Sequence, residues 1–259
     1  MRYRLVSVLA VLAVMTLASP GWAAGPAPAS SGSAPDPSAH DAAGTPIDCP
    51  LHAGGMSTEG LRPFAESEKY IAFLERADRA KWQRPDAVVK ALHLAGDETV
   101  EDVGAGSGYF TFRFAAALPR GKVVATDVDP EMVRHIHHRV LTDGMPNVQA
   151  VLVKPDDPRI DAAADVVFVA DVLHHVQNRE AWLRKLASEM KPGARLVLIE
   201  FKEGKLPQGP PEAMKIPKAK LVSLVRGAGL ALRSDEPKLL PYQTFLVFEK
   251  PAEHASATP

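Results

Sequence analysis

Two stretches of this chain combine residues whose types and spacing could do chemistry on a bound ligand. The first is DVGAGSGY, residues 102–109, where Gly104, Gly106 and Gly108 alternate with Ala105, Ser107 and Tyr109. A loop of this kind turns sharply and lets backbone amides approach a ligand closely. A dinucleotide turn needs glycine, any residue, glycine, two of any, then glycine or alanine. Counted from Gly104, that last position is Tyr109; counted from Gly106 it is Thr111, so the register fails. Asp102, two residues before the first glycine, would repel a pyrophosphate and suits an ammonium group. The ligand favoured by the loop therefore carries a positive amine and no phosphate. The second stretch is DVLHHV, whose His174 and His175 could deprotonate a hydroxyl, amine or thiol near neutral pH. The other reading is that the two histidines cap a turn and pack beneath a ligand.

The elements around these residues place them. From Thr99 onward, short β-branched runs alternate with helical patterns. Strands are predicted at 99–103, 122–127, 148–153, 165–170 and 194–201, with helices near 109–117, 130–141 and 179–190. Continuous apolar strands separated by helices form a parallel sheet covered on both faces. A further helix over 217–226 ends at Gly227-Ala228-Gly229, and LALRSD and YQTFLVFEK follow without a helix between them. Two strands so joined must be antiparallel, because a parallel return needs a crossover of a dozen or more residues. The fold class is thus α/β: Rossmann-like, doubly wound, with a mostly parallel seven-stranded sheet, a C-terminal antiparallel strand and N-terminal helices. Asp102 and the glycines close the first strand, and the histidines follow the fourth at its carboxyl end, where open α/β sheets place ligands. Ahead of the sheet, Phe64, Tyr70, Phe73 and Leu74 recur on one face of a first helix. Pro85 opens a second helix carrying Val88, Val89 and Leu92.

Four blocks, VEDVGAGSGYF, VVATDVDPEMV, DVVFVADVLHHV and MKPGARLVLIEF, occur in an order and spacing that resembles the class I methyltransferases using S-adenosylmethionine. The closing YQTFLVFEK is similar to that family's final antiparallel strand. The resemblance implies that Asp102, Gly104, Ala105, Gly106, Ser107, Gly108 and Tyr109 hold the methionine end of S-adenosyl-L-methionine, with Asp171 in the same cofactor-binding set. It implies that Asp127 accepts from both ribose hydroxyls, and that Met132 or Val128 packs on the adenine. An N-cap is the alternative for Asp127, although Asp129, directly before Pro130, is the better placed cap. Where the family commonly has an acid after the third strand, this chain has Lys154, followed by Pro155, Asp156 and Asp157. Either acid could serve through a shifted loop; Asp157 is carried here, against a turn-forming role. Trp82, Gln83 and Arg84 fall where many members fold a helix over the cofactor as a lid, and core packing explains Trp82 equally well.

The remaining signals bound the function. With 259 residues and a formal charge of −1, the chain suits one catalytic-sized domain and offers no general polyanion-binding surface, so nucleic acid is not favoured as a partner. No metal centre is expected. His135 and His138 share a helix face at i, i+3 spacing without a nearby third ligand, and a solvated face explains them. Cys49, His52 and Met56 in DCPLHAGGM resemble short heavy-metal-binding segments, or form an ordered loop before the helices. At the N-terminus, Arg2 and Arg4 precede an uncharged run and then Gly21 and Ala23, a secretory pattern cut near Ala23. Residues 1–23 are thus a signal peptide or a membrane anchor, 24–46 an Ala/Pro/Ser tether, 47–95 a helical lid segment, 96–250 the cofactor-binding domain and 251–259 a tail. The leader implies a periplasmic or envelope location; an uncleaved inner-membrane anchor with a cytosolic body is the alternative. The expected activity is methyl transfer to a small-molecule acceptor, with the oligomeric state left open. The competing readings are a non-catalytic S-adenosylmethionine-binding module and a nicotinamide-dependent oxidoreductase, which the glycine register disfavours.

Overall fold

The computed structural model describes residues 64–252; the leader, the tether, Cys49, His52, Met56 and the tail from residue 253 lie outside the described residues. Three helices open the described chain, α1 (Phe64–Leu74), α2 (Arg79–Gln83) and α3 (Pro85–Ala91). The sequence pattern predicts two. Pro85 bars Arg84 from the right-handed helical region, and Arg84 adopts φ 44°, so the chain turns there and α2 and α3 separate. The apolar face read on α1 is only partly used, since Tyr70 and Phe73 are 45% and 57% exposed.

The core then alternates as β1 (Thr99–Val103), α4 (Thr111–Ala117), β2 (Lys122–Asp127), α5 (Pro130–Asp143), β3 (Val148–Leu152), β4 (Val166–Ala170), α6 (Arg179–Glu189), β5 (Arg195–Phe201), α7 (Lys218–Gly227), β6 (Ala231–Asp235) and β7 (Gln243–Glu249). The strands form one seven-stranded sheet in the order β3-β2-β1-β4-β5-β7-β6. The first five run parallel, while β7 lies antiparallel between β5 and β6. Their continuous apolar runs follow from burial on both faces. On one face, Val88, Phe114, Leu118, Val133 and Ile136 pack over Val100, Ala125 and Phe168. On the other, Trp182, Leu186, Leu221 and Val225 pack over Val167, Leu196 and Leu198. Local chemistry fixes the helix ends. At the start of α5, Asp129 accepts from the Glu131 amide at 2.9 Å and Pro130 occupies the first turn, and Gly144 closes the helix at φ 63°. Among the described residues, no helix is long and apolar enough to cross a membrane.

Candidate functional site

Strands β2 and β3 lie on one side of β1, and β4 and β5 on the other, so the order reverses between β1 and β4. Ligands of open α/β sheets bind at such a point, beyond the carboxyl ends of the strands. The glycine loop leaves β1 there. The Gly104 and Ala105 amides donate to the Thr126 carbonyl at 2.8 and 2.9 Å, which ties the loop to the end of β2. Gly104 has φ +70°, and a Cβ there would lie 2.4 Å from Val172 Cγ2 in the segment after β4. Glycine is thus required where the two segments flanking the reversal meet.

Three carboxylates surround the loop, Asp102 and Asp127 buried and Asp171 partly buried. Asp102 accepts from Thr111 Oγ1 at 2.6 Å, and burial pushes its pKa up to about 7 despite that hydrogen bond. Asp127 is 8% exposed; its Oδ2 accepts from the Gly106 amide and its Oδ1 from the Asp129 amide, each at 2.8 Å. Each oxygen keeps a second lone pair, so the carboxylate can still accept from a vicinal diol. Burial raises its pKa too. Asp171, after β4, sits in the left-handed region at φ 60° and is held by two amides. Gln243 Nε2 donates to its two oxygens at 2.7 and 2.8 Å, and Gln83 Nε2 donates to Oδ2 at 3.1 Å. Its pKa is pushed up to about 6, first by burial and then by the nearby Glu200 charge. Ser107 Oγ and Thr126 Oγ1 are buried beside the loop without a hydrogen-bond partner among the described residues.

A cavity of ≈ 610 Å³ opens at the reversal, walled by Gly104, Asp127, Val128, Asp156, His175 and Lys185 among others. This size is typical of small-molecule sites. Val128 is 52% exposed on its wall, an apolar side chain left open to a ligand. Two expectations need correction. Met132 is 1% exposed and does not line the cavity, because α5 turns it into the core; Val128 is the residue presented. Asp157 is also off the cavity. It closes a bridge with Lys154 and pairs with Lys185 Nζ at 2.9 Å, so Asp156 faces the cavity instead. Trp82 packs against Phe201, ring centres 5.6 Å apart, and does not line the cavity either.

The two histidines separate in role. His175 lines the cavity, and burial together with the charge of His174 lowers its pKa, which keeps the imidazole neutral near pH 7. His174 is 7% exposed, with Nδ1 2.8 Å from Glu200 Oε2 and its amide donating to Glu200 Oε1 at 3.2 Å. Burial lowers the pKa of His174, but the Glu200 hydrogen bond and charge outweigh it and the net shift is upward. Sequence reading missed Glu200 and Gln243, and it placed Gln83 in the lid segment without its contact to Asp171. Glu200 carried a signal, a lone acid inside the apolar run ARLVLIEF; the glutamines carried none, since 160 residues of chain part them. His135 and His138 line a second cavity of ≈ 130 Å³ with Ser67, Ile71, Glu131 and Arg134. Among the described residues, no group of three or more His, Cys, Asp or Glu side chains could hold a metal ion.

Residues 102–196 match the family described as methyltransferase domain. A ubiquinone/menaquinone biosynthesis C-methyltransferase from Ectopseudomonas mendocina is 36% identical over 105 residues, covering 39% of this chain and 41% of that protein. A tRNA U34 carboxymethyltransferase from Ruthia magnifica is 32% identical over 121 residues, covering 46% of this chain and 36% of that protein. The chain thus spans less than half the length of either relative. Among solved structures, an S-adenosylmethionine-dependent methyltransferase from Aquifex aeolicus superposes with a TM-score of 0.65 at 25% identity, over 73% of this chain and 99% of that one. Residues 102–196 are therefore similar to a methyltransferase domain, and the sheet that carries them is the Rossmann-like sheet of the Aquifex structure.

Proposed function

We propose that this protein is an S-adenosylmethionine-dependent methyltransferase acting on a small molecule whose acceptor atom carries a removable proton. The observation that carries the reading is the cavity at the strand reversal, with Gly104, Asp127 and Val128 on one wall and His175 on another. The residues fit the cofactor. Asp127 retains lone pairs for ribose hydroxyls, Val128 offers an open apolar surface for the adenine, and Asp156 stands where an exocyclic amine could donate. The loop from Gly104 to Gly108 brings backbone close to the amino-acid end, with Asp102 and Asp171 as the charge partners of its ammonium.

When bound, the cofactor supplies a methyl carbon already activated by its sulfonium, so the protein's tasks are alignment, exclusion of water and removal of the acceptor's proton. Neutral His175 accepts that proton at the cavity wall. His174, fixed by Glu200, is a positioning residue; burial first, and then the charge of His174 when it is protonated, lower the pKa of His175. The two curated relatives methylate or carboxymethylate unlike acceptors by their names, a quinone precursor and a tRNA, so they do not select the acceptor here. The test is calorimetric titration with S-adenosylmethionine, followed by label transfer to phenols, thiols, amines and quinols. Heat of binding and S-adenosylhomocysteine formation with one acceptor class are expected. His175→Gln should lower turnover roughly 10²- to 10⁴-fold with cofactor affinity unchanged. No binding heat from the unmutated protein overturns the reading.

A further inference from the structure

Arg79 on α2 is a half-buried guanidinium that no carboxylate pairs with among the described residues. Its Nε donates to Gln83 Oε1 at 2.8 Å and its Nη1 to the Leu74 carbonyl at 2.6 Å, which leaves Nη2 without an acceptor among the described residues. The guanidinium carbon lies 4.0 Å from the centre of the Tyr109 ring, at the end of the glycine loop. Burial lowers its pKa, while the charges of Asp171 and Asp102 act in the opposite sense, so both acids are within electrostatic reach. The Gln83 amide bridges it to Asp171, Nε2 to Oδ2 at 3.1 Å. Neighbouring arginines are occupied: Arg76 pairs with Asp78 at 3.2 Å, and Arg113 donates to the Tyr109 carbonyl. The same segment covers the loop, since a Cβ on Gly106 would lie 3.4 Å from Leu74 Cδ1.

One cation with unused donors and two carboxylates are the counter-image of an amino-acid zwitterion. A ligand bringing a carboxylate towards Asp102 and Asp171 would be repelled unless a cation stood beside them, and a guanidinium meets a carboxylate with two parallel donors. We propose that Arg79 binds the carboxylate of the cofactor's methionine end while Asp102 and Asp171 take its ammonium. The N-terminal helices are then part of the cofactor site and not only a cover over it. This rests on the cofactor reading above, and the test separates the two.

The full chain and its Arg79→Met and Arg79→Lys variants would be titrated calorimetrically with two ligands. S-adenosylhomocysteine carries the carboxylate and ammonium; 5′-methylthioadenosine carries neither. Arg79→Met should weaken S-adenosylhomocysteine roughly 10- to 100-fold, the range of a charge-assisted hydrogen bond, and leave methylthioadenosine within about twofold. Arg79→Lys, which keeps the charge but loses the fork, should fall between, and it carries the same comparison if Arg79→Met does not fold. Equal loss for both ligands, or no loss for either, overturns the role of Arg79 while the cofactor reading stands. Failure of the unmutated chain to bind S-adenosylhomocysteine removes both.

Discussion

Under the proposed function, with Asp102 receiving the cofactor's ammonium, cofactor binding should be a proton-linked event. Buried and held only by Thr111, its carboxyl has a pKa of about 7 in the free protein, against an ordinary 3.8. Receiving an ammonium requires the charged form, so the proton must leave as the ligand arrives. Asp102 is roughly 3% ionised at pH 5.5 and roughly three-quarters ionised at pH 7.5, which makes binding about 25-fold weaker at the lower pH, or about 1.9 kcal/mol. Asp171, at about 6, steepens the dependence in the same direction by roughly fourfold. Near pH 7 about half a proton should be released from Asp102 per cofactor bound. Calorimetry in buffers of different ionisation enthalpy measures that release directly. Asp102→Asn should bind more weakly at pH 7.5 and lose most of the dependence, which distinguishes Asp102 from the titrating histidines. Affinity that is flat from pH 5.5 to 7.5, with a heat independent of buffer, would refute the linkage.

Two predictions concern the scaffold. Glu101, fully buried next to Asp102, accepts from the Asp161 amide at 2.6 Å through Oε2 while Oε1 has no partner among the described residues, and burial raises its pKa from 4.5 to about 8. A raised carboxyl pKa means the folded state holds the proton longer. Glu101 should therefore contribute a decline in stability of ~1.4 kcal/mol per pH unit between about 4.5 and 8, on top of the like contributions of Asp102 and Asp171 at lower pH. Glu101→Gln, which mimics the protonated form, should remove this decline in denaturant unfolding; parallel profiles for the two proteins would count against it. Gly104→Ala should destabilise by roughly 2–3 kcal/mol, combining the left-handed backbone with the 2.4 Å approach to Val172. Adding Val172→Ala should recover about 1 kcal/mol or more, and additive losses in the double variant would mean that the two segments are not in contact.

The parallel strands were legible because burial on both faces writes a continuous apolar run, and the antiparallel end because LALRSD and YQTFLVFEK have no room for a crossover. The glycine loop was legible for a similar reason: a tight turn excludes other residues, so its spacing is a local record of geometry. Asp156 and Asp157 were not separable, since both suit a turn and only the bridge to Lys154 and the pairing with Lys185 decide which faces the cavity. Met132 and Val128 likewise differ by where α5 begins its rotation. The partners of Asp171 lay beyond local reading. Gln83 and Gln243 come from opposite ends of the domain, and no periodicity links them.

That last arrangement sets a timetable. β7 is the final strand of the described chain, yet it lies inside the sheet between β5 and β6, and its first residue, Gln243, completes the clasp on Asp171. A chain emerging from the ribosome could form the Gly104 turn and the Asp127 contacts early, from neighbouring segments. It could not fix Asp171 until nearly the whole domain had been made. The fixing of Asp171 is therefore coupled to completion of synthesis, and a chain broken before Gln243 would carry the recognisable glycine loop without this clasp on Asp171.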